Sequence, residues 1–173
     1  YLEMDGHTYS KSKIIGGAFT NKDNSCFMTI EEIIKHKEIF NNDVTKYTYD
    51  VKRMIILLNQ YDITINNCNY DAMIGAYLLD YKLDDDITVL MGQFNYDCPS
   101  YEETYGTERK KREASLETTE KQSIMKSEFI YDSREQILEE IGEPNGQFGS
   151  GIIYQYYEID NNLYVSILFS SSE

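Results

Sequence analysis

The sequence has no tryptophan, two prolines, three cysteines and two histidines among its 173 residues, and it is poor in cations. Its 16 lysines and arginines stand against 30 aspartates and glutamates, which gives a net charge of −14. Affinity for a polyanion such as DNA comes largely from Lys and Arg side chains that neutralise phosphates. This charge balance therefore argues against broad, non-specific nucleic-acid binding, and we expect any DNA contact to be local or aided by metal ions.

Long apolar runs are also missing. No stretch reaches the length of a membrane span, and the N-terminus has no basic region followed by an apolar one, so we expect neither a membrane-spanning helix nor an intact signal peptide. Cys26, Cys68 and Cys98 are far apart and form no CxxC pair, which argues against a disulfide framework or a zinc site. We expect reduced thiols in a cytoplasmic protein with no membrane partner.

The apolar content of 41% suffices for one substantial core. Three strands joined by hairpins are predicted at the start, at 1–4, Ile14–Thr20 and Ser25–Thr29. A capping box of Thr29 and Glu32 then opens a helix. Beyond it, the apolar spacing predicts strands at 46–49 and 63–65 and helices that begin at Asp50, at Asp71 and after residues 84–86. Strands followed by alternating helices and strands indicate an α/β fold.

The second half of the chain is predicted in four parts. Residues 101–119 are polar and indicate an exposed loop. A helix passes through Ile124 and Phe129, and a second capping box, Ser133 with Gln136, opens another helix that ends at Gly142. Alternating residues at 153–159 and Leu163–Phe169 then predict a β-hairpin. We divide the chain into residues 1–131 and a C-terminal helix and hairpin at 132–173.

Several ordered motifs resemble one known family. YDAMIGAYLLD at 70–80, YEETYGTERKKR at 101–112, KYTYDVKR and FIYDSRE are similar to the 3′ to 5′ exonuclease domain of bacterial DNA polymerase I, a family A polymerase, in its Bacillus-type vestigial form. The resemblance covers about residues 1–140 and implies a ribonuclease-H-like fold, a mixed sheet flanked by helices. The tail after Gly142 weakly resembles small α+β domains of lipoproteins and β-lactamase-inhibitor-like modules.

In active members of this family, the resemblance implies four carboxylates that hold two Mg²⁺ or Mn²⁺ ions. These are an Asp-x-Glu pair on the first strand, an Asp that opens a helix, and an Asp on a late helix, four residues after a Tyr. Alignment through TYSKSKIIGGAFTN places Tyr1 at the first Asp and keeps Glu3. Asp50 matches the helix-opening Asp, whereas Lys126 falls at the final Asp and Gln122 at the Tyr.

Two of the four carboxylates are thus absent, and the Lys126 ammonium would repel a metal ion. We expect a vestigial, non-enzymatic domain with no catalytic residues and no cofactor, in which Glu3 and Asp50 are remnants. The alternative is an active exonuclease that needs Mg²⁺ or Mn²⁺. In that case Glu3 and Asp5, two apart on a strand, would face the same side and join Asp50.

The expected partners are a polymerase core or DNA. The concentrated basic patch is formed by Arg109, Lys110, Lys111 and Arg112, which is either a solvated loop or a phosphate-contacting one. A third hypothesis for the function of the chain is a protein-binding module built on the C-terminal hairpin. Asp71 and Asp80 are expected to fix helix ends. The acidic triplet at 84–86 is expected to be a solvated helix start.

Overall fold

The computed structural model describes residues 1–6 and 8–142 in full, and the backbone of residues 146–148, 153–160 and 163–169. Its first three strands are β1 (Leu2–Met4), β2 (Ile14–Thr20) and β3 (Ser25–Thr29), which form one antiparallel sheet in the order β1-β2-β3. This confirms the predicted succession of hairpins.

The Thr29–Glu32 capping box is also confirmed, since each side chain accepts a bond from the other residue's backbone N–H. It opens α1 (Ile30–Lys35), which is followed by α2 (Glu38–Asn41) and β4 (Lys46–Thr48). Asp50 then caps α3 (Val51–Asn59), as predicted.

The strand predicted at 63–65 is wrong. The next strand is β5 (Cys68–Asp71), which runs parallel to β4. Ile63 is 3% exposed because its N–H turns back to Leu58 O at 3.2 Å, directly after α3. The apolar pattern at 63–65 therefore reflects a residue buried by a turn, and not a strand. Two helices follow, α4 (Ala72–Leu78) and α5 (Thr88–Gln93).

The loop predicted at 101–119 is also wrong, because it contains regular structure. Ser100 and Glu103 form a capping box that opens α6 (Tyr101–Tyr105). A short antiparallel pair follows, β6 (Gly106–Thr107) and β7 (Lys110–Lys111). The polar composition concealed these elements, since only one side chain of α6, Tyr105, is buried.

A single helix, α7 (Leu116–Ile141), replaces the two predicted ones. Ser133 does not begin a helix, because its hydroxyl donates to Phe129 O at 2.7 Å within α7. Gly142 ends the helix with a φ of 72°, as predicted. The proposed boundary between residues 131 and 132 lies inside α7, and the division into two parts stays a prediction.

The C-terminal strands confirm the predicted hairpin and extend it. β9 (Ile153–Asp160) pairs antiparallel with β10 (Leu163–Phe169), and a third strand, β8 (Gly146–Phe148), pairs with the other edge of β9. The order is β10-β9-β8.

The described residues pack into two apolar clusters. One joins the first sheet to α1 and α3 and includes Leu2, Met4 and Leu57. The other joins α4, α5 and α7 and includes Ile87 and Phe129. The mixed α/β architecture with flanking helices is the predicted one. None of the helices in the described part of the chain is long and apolar enough to cross a membrane.

Candidate functional site

Glu3 reaches the interior because of the strand that carries it. Alternate side chains of a strand point to opposite faces, so Leu2 and Met4 join one apolar cluster while Glu3 contacts α7. The Glu3 side chain is 1% exposed. One carboxylate is therefore buried between β1 and α7.

Two side chains of α7 bind this carboxylate. The Lys126 ammonium donates to Glu3 Oε2 at 2.8 Å, and the Ser123 hydroxyl donates to the same oxygen at 3.2 Å. Residues three apart share one face of a helix, so α7 presents both to β1. Lys126 is also 1% exposed, which makes the contact a buried ion pair. Burial lowers the pKa of Lys126, but Tyr1 and the Glu3 carboxylate outweigh this effect and raise it overall.

Tyr1 stands where the resemblance expects the first aspartate, and its ring lies close to two cations. Lys126 Nζ is 5.0 Å and Arg53 Cζ is 5.4 Å from the ring centroid. The negative face of an aromatic ring attracts cations at such distances. Arg53 is buried and donates to the Asp85 carbonyl at 3.0 Å. Two protein cations thus flank the Tyr1 ring, two residues before Glu3 on the chain.

A cleft of about 400 Å³ opens beside Glu3. Acidic residues from the loop before α5 line one side of this cleft. One of them, Asp86, has a structural role. The Asp86 carboxylate accepts from Thr88 N at 3.1 Å and from Tyr101 N at 2.6 Å. It therefore ties α6 to the start of α5. The prediction of a solvated helix start is incomplete, because the triplet, Asp84, Asp85 and Asp86, lines this cleft.

Asp50 caps a helix. Its φ is 59°, in the left-handed region, and its carboxylate accepts from Arg53 N at 3.0 Å. Asp71 holds this turn in place by accepting from Asp50 N, Val51 N and Met73 N at 2.8–3.0 Å. Burial raises the pKa of Asp71. The predicted capping role of Asp71 is confirmed, and Asp80 follows the end of α4 with a φ of 56°.

Asp5 has other partners. The pairing of β1 with β2 shifts register between Glu3 and Met4, and the exposed Asp5 side chain then accepts from Lys13 N at 2.7 Å. It lines a separate cleft of about 380 Å³. Within the described residues, no group of three or more His, Cys, Asp or Glu side chains could hold a metal ion. A cation on Glu3 would also meet the Lys126 ammonium already bound there.

A family model described as the ribonuclease H-like domain of DNA polymerase I matches residues 1–132. The chain belongs to this family. DNA polymerase I of Bacillus subtilis (strain 168) is 24% identical over 153 residues, which cover 84% of this chain and 17% of that protein. The predicted relation to the ribonuclease H-like domain of DNA polymerase I and the predicted fold class are confirmed. The vestigial form and the resemblance of the tail stay predictions. The chain spans less than a fifth of the length of that relative.

In this member of the ribonuclease H-like family, Gln122 stands where active relatives are expected to have a Tyr. Its Oε1 accepts from the Thr104 hydroxyl at 2.8 Å, so it joins α7 to α6. Tyr105 makes a similar link, because its hydroxyl donates to Thr119 Oγ1 at 3.1 Å. Both positions of the late helix named by the alignment, Gln122 and Lys126, thus bind protein groups.

The basic patch lies on the β6–β7 turn. Arg109, Lys110, Lys111 and Arg112 are all exposed. The turn is fixed at its base, where Arg112 N donates to Tyr105 O at 2.7 Å and Arg112 Nη1 donates to Glu103 O at 3.1 Å. Gly106 has a φ of 76°, a backbone conformation that favours glycine. The patch therefore belongs to an ordered turn on which Arg109, Lys110 and Lys111 are exposed, while the Arg112 guanidinium also fixes the base.

Sequence reasoning missed three contributors to the site, Ser123, Arg53 and Asp86. Ser123 could have been found, because it lies three residues before Lys126 on the same predicted helix. Asp86 was noticed only as part of the acidic triplet at 84–86, and nothing in the sequence placed it beside Glu3. Arg53 gave no signal, since it reaches the cleft from an element that is distant along the chain from β1.

Proposed function

We propose that this chain is a form of the DNA polymerase I exonuclease-like domain that has lost proofreading hydrolysis and keeps a structural, DNA-positioning role. The observation that carries the proposal is the buried pair of Lys126 and Glu3. Phosphodiester hydrolysis by two metals needs carboxylates that hold the two ions about 4 Å apart. Here Glu3, one of the two carboxylates that remain, is neutralised by an ammonium at 2.8 Å.

The electrostatics of Glu3 also supports the proposed loss of hydrolysis. A buried carboxylate costs several kcal/mol unless it is paired and hydrogen-bonded. In an active site a metal ion would offset that cost, whereas here Lys126 and the Ser123 hydroxyl offset it. The cation that stabilises Glu3 is thus part of the chain, and no divalent ion is needed for the fold.

The DNA-positioning part of the proposal rests on the β6–β7 turn. Four exposed cations on one ordered turn can neutralise a few phosphates, while the net charge of −14 opposes contact elsewhere. We propose that the turn holds DNA locally and that the rest of the domain packs against a polymerase core, in replication or repair.

A cytoplasmic location belongs to the proposal, in line with the free thiols of Cys26, Cys68 and Cys98.

Nuclease activity is tested with 5′-labelled single-stranded DNA in Mg²⁺ and in Mn²⁺. We expect no nucleotide release above buffer from the wild-type chain. The alternative, an active exonuclease that uses Glu3, Asp5 and Asp50, requires release that Asp50→Ala abolishes, and that result would refute the proposal. Release that persists unchanged in both Asp50→Ala and Glu3→Gln would indicate a contaminating nuclease.

DNA contact is tested by replacing the four cations of the turn with alanine. The matched control replaces four exposed lysines elsewhere, Lys11, Lys13, Lys35 and Lys37. The turn variant should weaken single-stranded DNA binding and flatten its salt dependence, by a slope of about 0.7 for each phosphate that the turn no longer neutralises. Equal weakening in both variants would show that only net charge matters, and would remove the turn from the proposal.

A protein partner for the C-terminal strands is a second candidate. The observation that favours it is the antiparallel pairing of β9 with β10 and β8, which makes a three-stranded sheet. Deleting the residues after Gly142 should then abolish partner capture while the N-terminal part still unfolds cooperatively. Capture that survives the deletion would refute this role.

A further inference from the structure

The cleft of about 380 Å³ that Asp5 lines lies between the β1–β2 connection and the segment from α6 to the start of α7. We call it the Tyr105 cleft, after a tyrosine on its lining. Its volume falls in the range of small-ligand sites in proteins, roughly 300–1,000 Å³. Gly6 and Tyr101 line both this cleft and the one beside Glu3. The two clefts are therefore neighbours that share a wall.

The Tyr105 cleft has a fixed aromatic wall. The ring centroids of Tyr101 and Tyr105 are 4.7 Å apart. Each hydroxyl is bound to another element, since that of Tyr105 donates to Thr119 Oγ1 at 3.1 Å and that of Tyr101 donates to Met4 O at 3.3 Å. These bonds hold both rings in place before any ligand arrives.

The apolar part of the lining continues from this wall to the mouth of the cleft. It includes Ile15, Ala114 and Leu116, and Leu116 is 56% exposed. Nucleic-acid bases stack on aromatic side chains, and every base has a π-face that allows it. A cleft with an aromatic wall and an apolar mouth therefore suits a nucleobase.

The two lysines of β7 lie on different sides of that strand. Lys110 and Lys111 are neighbours, and neighbouring side chains of a strand point to opposite faces. Lys111 lines the Tyr105 cleft, whereas Lys110 lines a different pocket, beside Ser100. Arg112 lines both. Lys111 and Arg112 thus offer a phosphate two cations at the cleft.

The carboxylates on the lining determine which part of a nucleotide enters. Asp5 and Glu113 line the cleft, and they repel a phosphate but accept hydrogen bonds from the N–H groups of a base. The Asp5 side chain is held by Lys13 N, which donates to its Oδ1 at 2.7 Å. The base therefore occupies the cleft, and the phosphate stays at β7.

We propose that the Tyr105 cleft binds one unpaired nucleotide of a DNA strand, with its base against Tyr105 and its phosphate on Lys111. The inference rests on the proposed contact between DNA and the β6–β7 turn, and it adds a base-binding subsite to that contact. The base must be unpaired, because a base in a duplex is stacked between its neighbours. The domain then holds single-stranded DNA in preference to duplex DNA.

The test compares two fluorescein-labelled hexamers of equal charge by anisotropy, oligodeoxycytidylate and a fully abasic strand. We expect the full chain to bind the cytosine strand at least about fivefold more tightly, because the abasic strand has no base to stack. Equal binding of the two strands overturns the base subsite but leaves the proposed DNA contact of the turn intact. Absence of binding to either strand overturns both.

Ala114→Phe fills the cleft and keeps every charge. It should lower the affinity for the cytosine strand to that for the abasic strand. Leu138→Phe is the control, at a residue 40% exposed near the other end of α7, and it should leave the ratio of the two affinities unchanged. A ratio that Ala114→Phe leaves at the wild-type value overturns the proposal.

The two lysines of β7 give an independent test that leaves the core untouched. Lys111→Ala should weaken binding of the cytosine strand at least about threefold more than Lys110→Ala, although each removes one exposed cation. Equal weakening by the two variants overturns the assignment of the phosphate to Lys111. Displacement of the strand by equimolar deoxycytidine monophosphate overturns the assignment to DNA, because the ligand is then a free nucleotide.

Discussion

The Lys126 ammonium donates to Glu3 Oε2 at 2.8 Å, with both side chains only 1% exposed. A buried ion pair of this kind contributes little net stability against an apolar pair of the same volume, but loss of one partner leaves an uncompensated charge. The pair therefore makes the site depend on Lys126, at the position where an active relative is expected to have a metal-binding aspartate.

Lys126→Met should lower the free energy of unfolding by about 3–5 kcal/mol, because Glu3 then stays buried without a cation. Urea denaturation measures this change. The matched control is Lys121→Met, at an exposed position on the same helix. The double variant Glu3→Leu/Lys126→Met should recover most of the loss. A double variant no more stable than Lys126→Met would contradict the pairing.

Asp71→Ala should destabilise the domain by at least about 2 kcal/mol, because three backbone N–H groups, at Asp50, Val51 and Met73, lose their acceptor. Thermal unfolding followed by circular dichroism measures the effect. Asp43→Ala, at an exposed position, is the control. Equal melting temperatures for the two variants would show that Asp71 does not hold the α3 and α4 starts.

Two glycine substitutions should change different properties: Gly106→Ala should weaken DNA binding, and Gly92→Ala should raise the free energy of unfolding. At Gly106 an added Cβ would clash with Lys110 O, and the φ of 76° disfavours alanine, so Gly106→Ala should distort the β6–β7 turn and weaken DNA binding with every charge kept. Gly92 lies in α5 with no atom within 4 Å of an added Cβ. Gly92→Ala should stabilise the protein by about 0.5–1 kcal/mol. If Gly106→Ala leaves DNA binding unchanged, DNA binding does not depend on the conformation of the β6–β7 turn, and this prediction is wrong.

The three thiols should react at different rates. Burial, with a smaller effect from the Asp71 carboxylate, raises the pKa of Cys68 to about 11, so roughly 0.1% of it is thiolate at pH 8. Burial also raises the pKa of Cys98, whereas Cys26 is exposed. Iodoacetamide labelling followed by mass spectrometry should therefore modify Cys26 first and Cys68 last. Early modification of Cys68 would contradict its placement in β5.

The parts of the fold that could be predicted are those fixed by local chemistry. The bounds of β2 and β3 and the Thr29–Glu32 capping box follow from alternation and from hydrogen bonds within four residues. The failures at 63–65 and at Ser133 have one cause. In both places the local pattern is compatible with more than one structure, and tertiary packing selects the one that was not predicted. At 63–65 a turn buries Ile63, and at Ser133 helix α7 continues.

The site could be predicted only as far as the family resemblance reached. It named Glu3, Asp50 and Lys126, but not that Lys126 would bind Glu3. That contact joins residues 123 positions apart, and no spacing rule covers such a distance. The approach of Arg53 to Tyr1 is hidden in the same way, because it depends on how α3 packs beside β1.

Lys126 binds Glu3 where a metal ion would have to bind it, so Mn²⁺ binding, measured by electron paramagnetic resonance, decides whether the metal site is lost. We expect the full chain to leave the spectrum of free Mn²⁺ unchanged at millimolar ion concentration, with Glu3→Gln indistinguishable from wild type. A stoichiometric loss of the free Mn²⁺ signal that Glu3→Gln abolishes would show that Glu3 still binds a divalent ion, and would refute the proposed loss of the metal site.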